Sequence, residues 1–444
     1  MNPMKPWKTE WIVSLAALLV AALAGLLVPP HAAEVTGGPI NSGDVAWMLT
    51  ATGLVLLMTP GLSFFYGGMV QRKNVISTML QSFISMGVLS VVWVLIGFSL
   101  AFGKSFHGLI GNPLTYFMFR GVTGATHPDL APTIPLALFA MFQLKFAIIT
   151  PALITGSFAE RVRFSSYLLF ITLFSIFIYC PLAHWTWHPE GFLHKWGVLD
   201  FAGGTVVHMS AGFAALAGAM YLGRRKVHVA SQPHLPANIP FVLLGTGMLW
   251  FGWFGFNAGS ALAANGTAVM AFITTNTASA AAMLGWVFFD AVRGRRPSAL
   301  GASVGAVVGL VAITPAAGYV TVGQSIAIGA LASIVSNLAV HWKSKSTLDD
   351  TLDVFPCHGV GGIVGMLATG LFAEKVGLIY GDPTIFLRHV GATLLVGAFS
   401  FIGSYALYWV TDALITIRVR PEQEEQGLDL SQHGETMDGA QAAH

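Results

Sequence analysis

The sequence predicts an all-α membrane protein. It reads as eleven transmembrane helices, built as two inverted five-helix repeats plus a final helix, with the mature N-terminus outside and the C-terminus inside. Three observations carry this. The 444-residue chain is 55% hydrophobic and only 9% charged, where soluble domains carry about 25% charged residues; its mean hydropathy is +0.69. Eleven apolar stretches are long enough to cross a bilayer core, which takes about 20 residues. The loops between them alternate sharply in basic content. The 50 glycines fit membrane helices that pack backbone against backbone.

The first 33 residues stand apart. Lys5 and Lys8 precede an apolar run from Trp11 to Val28, followed by Pro29, Pro30 and small residues through Ala33, which is the layout of a secretory signal peptide. His31 or Pro30 falls where a cleavage site prefers a small residue, so an uncleaved first helix is the alternative. Residues 34–230 then form the first repeat (spans 1–5), 231–376 the second (spans 6–10), 377–418 the eleventh span, and 419–444 a cytoplasmic regulatory tail. The spans are expected at 44–66, 75–102, 132–156, 164–183, 202–222, 239–262, 266–290, 299–317, 322–342, 355–374 and 386–416.

One set of loops holds Arg72 and Lys73; Arg161 and Arg163; Arg224, Arg225 and Lys226; Arg293, Arg295 and Arg296; Lys343 and Lys345; and Arg418 and Arg420. The other set is sparse, with Lys104, Arg120, Lys195 and Lys375. Basic loops stay in the cytoplasm, and an odd number of spans gives the same sidedness. The expected location is the inner or plasma membrane, with the lipid bilayer as solvent. The net charge of +2 offers no argument for nucleic acid. Cys180 and Cys357 both lie in apolar stretches and define no disulfide framework.

Two histidines lie deep in apolar segments, each a few residues after an aspartate: Asp200 and His208 in DFAGGTVVH, and Asp353 and His358 in DVFPCH. Ionisable groups inside a bilayer are costly and mark transport paths. The second pair follows the first by roughly 150 residues, the spacing of a duplicated half. Span 5 enters from outside and span 10 from inside, so the two histidines approach the midplane from opposite ends. Glycines on both helices allow the approach.

These strings, together with GWFGFNAGS at 252–260, DVFPCHGVGGIVG at 353–365, FYGGMVQRKNV at 65–75 and EEQGLDLSQHGE at 424–435, resemble the signatures of ammonium transporters of the Amt/Mep/Rh family, bacterial Amt type. The resemblance covers essentially the whole mature chain. It implies a homotrimer with one pore per subunit and ammonium or ammonia as cargo. On the family pattern Trp187 matches the vestibule tryptophan, Ser260 its hydroxyl partner, and Phe142 and Phe256 a stacked aromatic gate. An ammonium ion is drawn to an aromatic face, and a serine oxygen accepts one of its N–H bonds. His208 and His358 then form the pore pair. Asp200 caps a helix and supplies negative charge at the entrance, and Asp353 resembles its capping partner at the inner end. The tail resembles one that couples subunits and accompanies inhibition by a PII-type signal protein. Its residues up to about Glu435 are expected to pack against Arg224 to Lys226, with a mobile remainder.

Other classes fit less well. Two histidines fall short of the ligands zinc requires, so no metal is expected, nor any cofactor. No nucleophile–base set or phosphate loop points to an enzyme. A fused sensor output has only about 25 residues to occupy after the last span. Rh-like gas channels lack the tryptophan–serine pairing that Trp187 and Ser260 provide. Lys145, inside the third span, must snorkel, pair or lose its proton. Glu160, beside Arg161, reads as a solvated turn.

Overall fold

The computed structural model describes residues 7–28, 32–33, 35–232 and 234–437. Each of the eleven expected stretches is a helix: Ser42–Met69, Arg72–Phe102, Leu136–Phe158, Phe164–Trp196, Gly204–Leu222, Ile239–Gly259, Gly266–Val292, Ala299–Ile313, Val322–Ser344, Phe355–Phe372 and Thr384–Leu414. They are numbered spans 1–11 below. Backbone polar groups have no water to bond in a bilayer, so helices that satisfy them internally are the natural solution. Side-chain caps take over at several ends. Asn41, Asn238, Asn265 and Ser298 accept N–H groups at the starts of spans 1, 6, 7 and 8. Thr321 and Gln324 form a capping box at span 9.

Two lengths differ from expectation. Span 8 stops at Ile313 rather than 317, because Pro315 has no N–H with which to continue the helical hydrogen-bond ladder. Span 4 continues past residue 183 to Trp196, through a π-helical turn at Ser175–Tyr179 and a break after Trp187. The expected leader is a further apolar helix, Trp7–Leu27, lying along the outside of the bundle. Glu10 pairs with Arg163 at 3.4 Å and Trp11 packs on Phe164. The expected cleavage region falls largely on residues 29–31 and 34, outside the described residues.

Spans from the two expected halves meet at two close crossings. Span 1 lies against span 6, backbone to backbone: a Cβ on Gly245 would stand 2.4 Å from Phe65 N. Span 5 crosses span 10 as closely, since a Cβ on Gly212 would stand 2.1 Å from Gly359 N. No side chain fits at either crossing. The basic loops and the tail gather on one face of the bundle, called here the basic face.

Glu160 is not a solvated turn. It is 3% exposed on the basic face, in the left-handed region at φ 72°. It accepts Gln71 N at 2.7 Å and pairs with Arg225 at 2.7 Å. Arg225 also pairs with Asp349 at 2.9 Å, and Arg161 donates to the carbonyls of Ser157 and Asp349. A carboxylate this buried needs such partners. Neighbouring loops supply them, which a reading of residues 158–163 alone does not show.

The tail docks on this face as expected. Lys226 N donates to Glu424 at 2.6 Å, Lys226 Nζ pairs with Glu425, and Arg418 pairs with Glu424 at 3.0 Å. It reaches further than predicted. The Asp429 carboxylate accepts Ile76 N at 3.0 Å and Ser77 N at 2.7 Å, capping the start of span 2. The remainder expected to be mobile, beyond about Glu435, falls largely on residues 438–444, outside the described residues.

Candidate functional site

On the face opposite the basic loops, a cavity of about 140 Å³ is lined by Asp129, Gln143, Phe146, Trp187, Phe201 and Ser260, among others. The Trp187 indole is held by its own N–H, which donates to the carbonyl of Asp200 at 3.1 Å. Ser260 donates its hydroxyl proton to Phe256 O at 2.8 Å. Its oxygen lone pairs are therefore left as acceptors. The Gln143 side-chain oxygen is buried with no hydrogen-bond partner among the described residues. Two acceptors and an aromatic face suit a small N–H donor.

Below the cavity the aromatic pair is Phe146 with Phe256, ring centroids 4.2 Å apart and tilted by 34°. The expected pair was Phe142 with Phe256. Phe142 instead packs edge-on against Phe146 at 4.9 Å and does not line the cavity. The two phenylalanines lie one helical turn apart on the same side of span 3. The position of span 6 selects Phe146. Lys145 is buried on that helix but lines neither this cavity nor the one beneath.

Beyond the aromatic pair lies a void of about 10 Å³, walled by Leu62, Ile149, Val207, Leu249 and Val307 and ended by His208 and His358. That is room for about one water-sized molecule. Both histidines sit in π-helical turns, Gly204–Met209 and Phe355–Val360. Such turns recur at functional positions because the added residue re-aims a side chain. The imidazoles meet Nδ1 to Nδ1 at 3.3 Å, with rings 5.4 Å apart.

Their proton positions follow from a neighbour that sequence reading missed. Thr314 donates to Leu310 O at 2.8 Å and accepts from Trp253 Nε1 at 2.9 Å. With its proton committed, its oxygen can only accept from His208 Nε2, 3.3 Å away. In the neutral pair His208 therefore carries its proton on Nε2, and its bare Nδ1 accepts from His358 Nδ1–H. His358 Nε2 is then the unprotonated end.

The span that carries His208 starts at a carboxylate cap. Asp200 Oδ1 accepts Gly203 N at 2.8 Å and Gly204 N at 2.7 Å, and Oδ2 accepts Thr205 N at 2.7 Å and the Thr205 hydroxyl. Gly203 sits at φ 118°, a geometry few side chains tolerate. At span 10 the expected cap, Asp353, is not the one used. Asp350 accepts Val354 N at 3.1 Å and Phe355 N at 2.8 Å. Asp353 is at φ 59°, which turns its side chain out to Lys343. The matching feature was legible: Asp200 and Asp350 each lie eight residues before their histidine.

Burial raises Asp350 to about 6, with Lys343 opposing and Asp353 adding to the rise. Asp349 is pushed up by burial but held below the usual carboxylate range overall by its hydrogen bonds to Arg225 and the charge of Arg161. The basic face thus keeps its carboxylates in a cluster of cations.

An all-helical bundle with a narrow apolar path between an aromatic cavity and a buried histidine pair defines a class: a multi-pass protein of the cell membrane built around a conduit. Residues 46–438 match the model of the Ammonium Transporter Family, and the chain belongs to that family. It is 46% identical over 404 residues to an ammonium transporter of Bacillus subtilis, covering 89% of this chain and 98% of that one. Among solved structures it resembles Mep2 of Candida albicans, with a TM-score of 0.82, 34% identity, and 86% and 88% of the two chains covered. It also resembles a protein described as a sensor Amt protein, with a TM-score of 0.81, 30% identity, and 88% and 98% covered.

Proposed function

We propose that the protein carries ammonium into the cell. Ammonium is recruited at Trp187 and Ser260, with Phe142 behind the site in support of Phe146. It gives up a proton to water in the outer cavity on entering the path, and ammonia, with or without that proton carried separately, passes Phe256, His208 and His358. The basic face is placed in the cytoplasm by the positive-inside rule. The observation that carries the reading is the imidazole pair, 3.3 Å apart at the end of an apolar void beneath an aromatic cavity. An unpaired cation in a dry path costs on the order of tens of kcal/mol, whereas neutral ammonia crosses cheaply. Potassium has no proton to lose and is refused. The names of the relatives support transport rather than catalysis. The chain functions as a homotrimer with one path per subunit, the first 33 residues direct its insertion, and the docked tail is the seat of control by a PII-type protein.

The test is current recording on proteoliposomes during ammonium jumps, paired with methylammonium uptake and potassium leak. His208→Ala and His358→Ala are expected to alter rate or selectivity while the assembled protein persists. Unaltered rate and selectivity in both variants would remove the histidines from the path.

A further inference from the structure

The short segment that delivers Asp200 to its cap is pinned by three bonds from elsewhere. Trp187 Nε1 donates to the carbonyl of Asp200, and Phe201 N donates to Pro315 O at 3.1 Å. Leu199 N donates to His389 Nε2 at 3.0 Å. The third bond is different in kind. Its acceptor is a side chain from span 11, the helix that belongs to neither repeat.

His389 is 0% exposed. Its Nδ1 faces Met366 O at 2.8 Å, an acceptor, so the proton sits on Nδ1. Nε2 is then bare, as the Leu199 N–H requires. Met366 lies on span 10, about two turns beyond His358. The approach is close, since a Cβ on Gly370 would stand 3.0 Å from His389 Cβ. One ring therefore ties together span 10, span 11 and the Asp200 segment. Leu199 is next to Asp200, and the Asp200 carbonyl is what holds the Trp187 indole. Without His389, the part-buried Leu199 N loses its acceptor, and the main chain at Asp200 is held less firmly, which loosens the indole with it.

We propose that His389 is a positioning residue for the outer ammonium site, setting the angle of Trp187 over the cavity through Leu199 and the Asp200 carbonyl. This rests on the recruitment reading given above. The test compares methylammonium uptake in proteoliposomes for wild type, Trp187→Leu, His389→Ala, His389→Asn and His389→Gln. Glutamine places an acceptor oxygen near the Nε2 position and keeps the Leu199 bond. Asparagine reaches only as far as Nδ1 and loses it. His389→Ala and His389→Asn should raise KM about five- to tenfold, the effect of one lost part-buried hydrogen bond, with Vmax nearly kept. His389→Gln should stay within about twofold of wild type. Hydrogen exchange of peptides spanning 197–205 should speed up in the alanine and asparagine variants and not in the glutamine variant.

If the alanine variant does not fold, the asparagine–glutamine pair decides. Unchanged KM in the asparagine variant, with Trp187→Leu raising it, overturns the positioning role and leaves recruitment standing. Loss of Vmax at constant KM in all folded His389 variants marks a packing role and also overturns it. No effect of Trp187→Leu overturns both readings.

Discussion

The two helix ends that carry the histidines share a geometry but not an electrostatic setting. At span 5, Asp200 takes three backbone N–H groups and a threonine hydroxyl, and all four donors are uncharged. At span 10, Asp350 takes two backbone N–H groups, and Lys343 stands nearby, donating to the Asp350 carbonyl at 2.7 Å and pairing with Asp353. Arg161 and Arg225 complete a cationic cluster around the adjacent Asp349. The difference separates what the two helix starts share from what they do not. Helices and their caps recur because the packing recurs. Loop charges do not, because they are set by sidedness in the membrane. One end thus keeps an unopposed negative field beside the aromatic cavity, while the other is neutralised.

The largest effect should come from Asp200. In Asp200→Asn an amide –NH2 must face backbone donors that formerly met a carboxylate oxygen, orphaning one or two of them. We expect a loss of about 3 kcal/mol in stability, together with abolished uptake. Asp200→Ala should also be inactive, and Asp200→Glu should retain part of the function. Asp350→Asn orphans at most one donor and removes a carboxylate that burial disfavours, so its stability at pH 7 should stay within about 1 kcal/mol of wild type. Thermal unfolding in detergent with parallel uptake assays measures both. Equal losses at the two positions would break the comparison.

Next in size is the entrance. Trp187→Leu should raise KM more than about tenfold, since a desolvated cation–π contact contributes about 2 kcal/mol. Phe146→Ala should disturb rate or selectivity more than Phe142→Ala, because Phe146 faces Phe256 across the path. Uptake kinetics and potassium leak of the two variants would show it; a larger effect at Phe142 would restore the pairing read from sequence.

A smaller effect concerns pH. Asp350 sits at about 6 in the fold, above the value of about 3.9 for an unperturbed aspartate. A raised carboxylate contributes stability that is present below the unfolded value and lost as pH rises through the folded one. Wild type should therefore lose stability from this group between about pH 4 and pH 6, and Asp350→Asn should flatten that stretch of the profile. Unfolding midpoints across this range, compared between the two proteins, check the sign.

The smallest effect is expected from the tail. Deleting 421–444 removes the Asp429 cap on span 2 and should lower transport partially or uncouple subunits, while deleting 437–444 should be tolerated. Full activity and a normal response to a PII-type protein after the larger deletion would make the tail a passive end.

Composition, hydrophobic run length and loop charge determined the class, the spans and the alternation of basic loops. Each of these is a sum over neighbours in the chain, and a bilayer reads it directly. The histidines and Asp200 were legible because ionisable residues stand out in apolar runs. What the tertiary structure decided was which of two near neighbours does the work. Phe142 and Phe146 share one helical face, and only the approach of span 6 chose between them. Asp350 and Asp353 both precede the helix, and the left-handed backbone at Asp353 gave the cap to Asp350. Glu160, Thr314 and His389 draw their roles from partners 65, 106 and 190 residues away. Periodicity and composition are local quantities. A hydrogen bond across the bundle depends on where distant backbones come to rest, and that is settled only when the glycine-lined helices have packed.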